Sequence, residues 1–135
     1  MAGQATATDY EYRVNIPGQV NIPELGLTIQ ILQLSAGDAA GYNPDQLFDA
    51  KLLPRELKIR NWRPGDRFWP AHTKAPKKIK ELLQERHISG AARKLWPVVD
   101  GVDEVIWIRG FSVPARFRPQ AETIEVAVIR ELSQE

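Results

Sequence analysis

Four lysines, Lys74, Lys77, Lys78 and Lys80, fall within seven consecutive positions with no acid between them. Ammonium groups at that density repel one another, and a polyanion relieves the repulsion. Ile79, Leu82 and Leu83 recur at three- and four-residue spacing and predict a helix from about Pro76 to His87, with proline suited to its first turn. The lysines then stand at or just before the helix N-terminus, where the dipole already places roughly half a positive charge. Cations there destabilise an isolated helix. A docked phosphate reverses the cost, because it suits both the free amides and the ammonium groups. Arg60, Arg63, Arg93 and Lys94 extend the patch if the preceding strand and turn lie beside the helix.

Charge along the chain points the same way. Residues 1–50 hold one basic side chain against six acidic ones, residues 51–95 thirteen against four, and residues 96–135 four against seven. The formal net charge of +1 therefore conceals a basic block in an acidic frame, the electrostatic footprint of a polyanion-binding surface. A solvated, lysine-rich helix face is the plainer alternative.

Catalytic arrangements are thin. His72 and His87 are fifteen residues apart, without metal-ligand spacing. His87 falls at the predicted helix C-terminus, where a partly charged imidazole complements the dipole. Ser35, Ser89, Ser112 and Ser133 lack a nucleophile elbow or an adjacent base. There is no Walker A run, no GxGxxG and no Ser-Gly-Gly-x-Asp-Ser pyrophosphate loop, so no ATP site is expected in this chain. Asp66 follows Pro64-Gly65 between Arg63 and Arg67, a place suited to holding a turn and one arginine. No catalytic residue, cofactor or metal is assigned. Trp107 and Trp96 read as packing residues, whereas Trp62 and Trp69 lie inside the basic block and are able to stack on a base or ribose.

The elements around these residues are mostly strands. Tyr10 to Ile16 alternates in a half-buried pattern. Leu27 to Leu34 alternates with a slip of phase, which a β-bulge would absorb. Further strands are expected near Gln46 to Ala50, at Leu57 to Trp62 with Lys58 and Arg60 on the solvent face, at Val98 to Val99 and Val105 to Ile108 as a hairpin, and at Thr123 to Ile129. Pro64-Gly65 fits the centre of a type II turn. Several strands against one principal helix argue an α+β fold with a mainly antiparallel sheet or sandwich.

Length and an apolar fraction of 43% suit one globular domain over residues 9–135. Residues 1–8 read as a disordered leader or an artificial boundary. With no cysteine, disulfides and thiolate metal sites are excluded. No signal peptide or spanning apolar run is present, so a cytoplasmic protein with no membrane partner is expected.

Four blocks together carry a family resemblance: Leu57 to Phe68 (LKIRNWRPGDRF), Lys77 to Leu83 (KKIKELL), Arg93 to Val99 (RKLWPVV) and Val105 to Phe111 (VIWIRGF). In order and spacing they resemble the C-terminal domain of bacterial tRNA(Ile)-lysidine synthetases, and the Ile16-Pro-Gly turn and Phe48-Asp49 extend the likeness. That family's domain is similar to one in the phenylalanyl-tRNA synthetase β subunit, which implies the same fold here. Its enzymes use ATP to adenylate a wobble cytidine of an isoleucine tRNA and then join lysine to it, through an N-terminal pyrophosphate-loop domain. The resemblance thus implies a domain that is non-catalytic alone and partners the tRNA acceptor stem and that N-terminal domain. It makes Arg60, Arg63, Lys77, Lys78 and Arg93 the RNA-facing candidates, and Gly65, Asp66 and Gly110 the scaffold. Between Phe68 and Lys77 the sequence departs from the family, with His72-Thr-Lys-Ala-Pro in place of a glycine-rich approach that bears on Lys74. Two rivals stand beside this reading: an interdomain or protein-docking module with a basic face, and a hydrolase using Asp66 and His72.

Overall fold

Alternation at the start of the chain yields β1 (Glu11–Asn15), which pairs antiparallel with β5 (Glu56–Asn61). On its other side β5 pairs with β8 (Pro97–Asp100), and β8 with β9 (Val105–Ile108), completing a four-stranded sheet. The second sheet runs β2 (Gly18–Ile22), β3 (Leu27–Ser35), β10 (Glu125–Ser133) and β4 (Leu47–Asp49), all antiparallel. The computed structural model describes residues 9–101 and 103–133, so the proposed leader lies outside the described residues.

The chain crosses from the first sheet to the second at Ile16-Pro17-Gly18. A Cβ on Gly18 would stand 2.6 Å from the Asn15 carbonyl oxygen, so only glycine fits this crossing without movement. Between the sheets Val14, Leu57, Ile59, Val99 and Trp107 meet Ile22, Ile29, Ile31, Phe48, Ala127 and Ile129 in the main core. Burial of each Val, Leu, Ile or Phe side chain here contributes about 1.5–3 kcal/mol relative to exposure.

Both sheets are also covered on their outer faces. Leu32 and Leu34 of β3, with Val126 and Val128 of β10, pack under Ala39, Tyr42 and Leu47. This second apolar face explains the phase slip of β3. No bulge absorbs it, since β3 and β10 pair without interruption from Leu27↔Ser133 to Ser35↔Glu125. An irregularity of register occurs instead in the other sheet, between Val99 and Asp100 of β8 against β9.

Over the outer face of the first sheet lie α1 (Ile79–Glu85), α2 (Gly90–Leu95) and a ribbon of β6 (Arg67–Phe68) paired with β7 (Lys77–Lys78). Phe68, Ile79, Leu82, Leu83 and Phe111 pack there against Val98, Val105 and Ile108. The principal helix is shorter than its sequence pattern. Lys77 and Lys78 are extended, and Lys78 is the N-cap residue with φ −68° and ψ 134°. At the other end the His87 N–H donates to the Gln84 carbonyl and the Ile88 N–H to the Leu83 carbonyl, a Schellman ending with His87 at φ 59°. The short strand β2, the ribbon and α2 are not among the elements expected from the sequence, and the two-residue strands of the ribbon are too brief to show a period.

Candidate nucleic-acid interface

The interface is built outward from the turn at Arg63-Pro64-Gly65-Asp66. Gly65 has φ +96°, and the Asp66 N–H donates to the Arg63 carbonyl at 3.0 Å, as a type II turn requires. The Asp66 carboxylate accepts the Arg63 N–H at 2.7 Å and receives Arg60 in a two-pronged contact, Nη1 to Oδ2 at 2.8 Å and Nη2 to Oδ1 at 3.1 Å. Its backbone oxygen accepts the Ile79 N–H at 3.0 Å, where α1 begins. Asp66 therefore joins β5, the turn and the helix; its place in the sequence suggests the turn and one arginine, and the link to the helix is added by the fold. With both carboxylate oxygens committed, it is not a free general base for the hydrolase reading.

Arg60 is placed differently from the sequence expectation. It lies on the outer face of the sheet, but the turn and ribbon fold over that face and leave it 8% exposed. Its Nε also donates to Asp100 Oδ2 at 3.3 Å, and Nη1 to the Asn61 carbonyl at 3.2 Å. Burial alone pulls the guanidinium pKa down. Hydrogen bonding and Coulomb attraction to Asp66, supplemented by Asp100, reverse this and hold it above its ordinary value. Arg60 is a covered structural cation held between Asp66 and Asp100, not one of the exposed cations.

The remaining candidates separate into two groups. Arg63, flanking the turn, directs its guanidinium toward Asp9 and Glu11, at 3.8 and 3.9 Å. Arg93 sits on α2 with its guanidinium 5.8 Å from the Trp62 ring centroid, while the Trp62 indole N–H donates to the Arg93 carbonyl at 2.6 Å. Trp62 is thereby packed, not presented as an open stacking face. Lys77, Lys78 and Lys80, by contrast, come together at the ribbon and the first turn of α1, and Lys74 lies in the loop leading to it. All four are exposed, and none has a carboxylate within 4 Å among the described residues.

Arg67 belongs with them, although sequence reasoning treated it only as a neighbour of Asp66. It is exposed, lacks an ion-pair partner among the described residues, and stands directly opposite Lys78 in the β6–β7 register. Like charges at opposed positions destabilise a strand pair. Arg67, Lys77, Lys78 and Lys80, exposed and without ion-pair partners among the described residues, are thus gathered on the ribbon and the first turn of α1. The helix dipole adds little: α1 has seven residues, and its first turn also carries Glu81. Lys78, like Lys77, is exposed.

Among the described residues, no group of three or more His, Asp or Glu side chains is placed to hold a metal ion, and no helix is long and apolar enough to cross a membrane.

Comparisons with known proteins converge on one family. A family model described as the TilS substrate C-terminal domain matches residues 57–129. The tRNA(Ile)-lysidine synthase of Symbiobacterium thermophilum is 34% identical over 121 residues, 88% of this chain and 25% of that protein. That of Solibacter usitatus is 28% identical over 134 residues, 95% of this chain and 30% of the relative. In Shouchella clausii the enzyme of the same name is 32% identical over 105 residues, 73% of this chain and 21% of the relative. The chain thus spans between a fifth and a third of the length of these curated relatives. A crystal structure of a TilS C-terminal domain superposes with a TM-score of 0.73 at 23% identity, covering 93% of this chain and 99% of that one, a likeness of fold.

Proposed function

The chain belongs to the family of TilS substrate C-terminal domains, and on that footing we propose that it holds the acceptor stem of a tRNA for a tRNA(Ile)-lysidine synthase. The ATP-dependent joining of lysine to the wobble cytidine is assigned to the pyrophosphate-loop domain of the parent enzyme, and the partners of this chain are that domain and the tRNA. One feature of the molecule supports RNA binding above all: Arg67 and Lys78 face each other across the ribbon, with Lys77 and Lys80 beside them and no carboxylate paired to any of the four among the described residues. Folding maintains that repulsion at a cost, and a phosphate backbone removes it. Phosphate contacts of this kind position a duplex without reading its sequence.

Titration of the chain with an RNA hairpin stem over a range of salt tests the proposal. If four to six phosphates are neutralised, log affinity falls against log salt with a slope of about −3 to −5. A flat response would overturn the phosphate contacts, and equal competition by generic polyanions and tRNA would favour the protein-docking alternative.

A further inference from the structure

We infer that a small cavity beside the ribbon, walled by Trp69 and Arg116, receives an unpaired nucleobase where an RNA duplex ends. The inference rests on the RNA-binding reading above and extends it from the phosphate backbone to a base. Trp69 directly follows β6 and is one of few large apolar side chains left open, at 38% exposure. Its indole N–H donates to the Thr73 carbonyl at 2.9 Å, and the Thr73 hydroxyl donates to the Pro70 carbonyl at 2.7 Å. These two bonds close the loop on itself and fix the indole in place. The cavity, about 220 Å³, lies between this loop and Pro114, Ala115 and Arg116. Its second wall is equally firm, because the next residue, Phe117, is buried in the main core.

The chemistry of the walls selects the ligand. Indole and proline faces offer flat apolar contact, and the Arg116 guanidinium lies 5.7 Å from the Trp69 ring centroid. Arg116 is held in turn by an ion pair with Glu104. An aromatic platform with a planar guanidinium is what stacks successive bases in single-strand binding proteins, and it tolerates any base because every base has a π face. A-form duplex buries those faces, so only an unpaired nucleotide can enter. The surroundings supply the phosphate contacts that such a nucleotide carries. A larger groove of about 590 Å³ shares Trp69 and Arg116 with the cavity and reaches Arg67 and Pro76, next to Lys77; of the acids that also line it, Asp66 and Asp100 are paired to Arg60 and Glu104 to Arg116, and Asp103 has no ion-pair partner among the described residues. Lys74 follows Thr73 in the loop itself and is exposed without a carboxylate partner among the described residues. Cations for the backbone and a fixed aromatic slot for the base thus adjoin one another.

Two RNA hairpins with the same stem test this, one blunt and one carrying a short single-stranded 3′ extension, each titrated against the chain by fluorescence anisotropy. The extension is expected to tighten binding roughly 5- to 150-fold, the range for one stacked base. Trp69→Ala removes that gain, while the blunt stem still binds through Arg67, Lys77, Lys78 and Lys80, which also reports that the variant is folded. Trp69→Phe retains part of the gain. Ala115→Leu, which fills the cavity from an exposed position, abolishes it independently. An extension that gives no advantage while the blunt stem still binds overturns the cavity assignment alone, as does a gain that survives both Trp69→Ala and Ala115→Leu. Failure of either hairpin to bind overturns the RNA-binding reading and the cavity with it. An uncharged proline-rich peptide that binds wild type and not Trp69→Ala, with no effect of the extension, would assign the cavity to a protein.

Discussion

Asp66 touches three parts of the molecule at once: Arg60 on β5, the Arg63 N–H in the turn, and Ile79 at the start of α1. Removing its carboxylate leaves Arg60 covered with only Asp100, at 3.3 Å, to balance it. Truncation of one partner of a buried pair is costlier than the pair is worth, since the other charge stays behind. Asp66→Ala is therefore predicted to cost about 2–3 kcal/mol, read as a lower denaturant midpoint, with Asp100 limiting the loss. An unchanged midpoint with RNA binding abolished would make Asp66 a ligand contact instead. Tyr10 permits a separate test by pH. Its hydroxyl donates to the Leu95 carbonyl at 2.7 Å, and burial pushes its pKa above the ordinary 10.0. A raised pKa in the folded state means stability that is complete below the unfolded value and lost as pH climbs past it. Stability should fall above about pH 10 for this reason, and Tyr10→Phe should lessen that fall. Parallel alkaline slopes for the two proteins would show that Tyr10 does not drive it.

At the scale of elements, the β6–β7 ribbon trades stability for charge. Lys78→Glu converts the Arg67–Lys78 repulsion into an opposite-charge pair. The variant is predicted to gain about 0.2–1 kcal/mol in thermal stability while weakening binding to any RNA stem, whatever its sequence. Melting curves and titrations against two stems check both halves. A variant that is less stable would mean that the ribbon is not strained by its charges, and loss confined to one stem would mean that base edges are read. The sequence showed the ingredients of this ribbon without its pairing. Ile79, Leu82 and Leu83 marked the buried stripe of α1 correctly, but helical periodicity runs on through Lys77 and Lys78. What stops it is tertiary: Phe68 and Arg67 pair with those two lysines, and the Asp66 oxygen takes the Ile79 N–H. Pro64-Gly65 was legible because its turn needs a fixed φ followed by a positive one, a purely local demand. Arg67 was overlooked because its significance depends on the residue opposite, which no local pattern records.

Across the whole molecule, the same distinction separates what strand alternation could and could not say. Alternation identified β1, β5 and the β8–β9 hairpin, but it assigns faces, not coverings. Arg60 lies on the outer face as read and is nevertheless buried, because a ribbon from the next segment roofs that face. The slip in β3 reflects apolar covering on both sides of its sheet in the same way.

Folding also redistributes charge. In the unfolded chain Lys77, Lys78 and Lys80 are neighbours by sequence alone, whereas in the native state Arg67 stands opposite Lys78 and the four cations are held together on one surface. A polyanion should accordingly prefer the native state, and a ligand with that preference stabilises it by mass action. Stem RNA at about a hundredfold excess over its Kd is predicted to raise the unfolding free energy by about 2.7 kcal/mol at low ionic strength. The gain should shrink as salt rises, because the screening length contracts from about 10 Å at 0.1 M to about 3 Å at 1 M. Calorimetry with and without RNA at the two salt levels measures it directly. A melting temperature unmoved by RNA at low salt, in a chain that binds RNA, would mean that the unfolded chain binds equally well and that folding does not create the site.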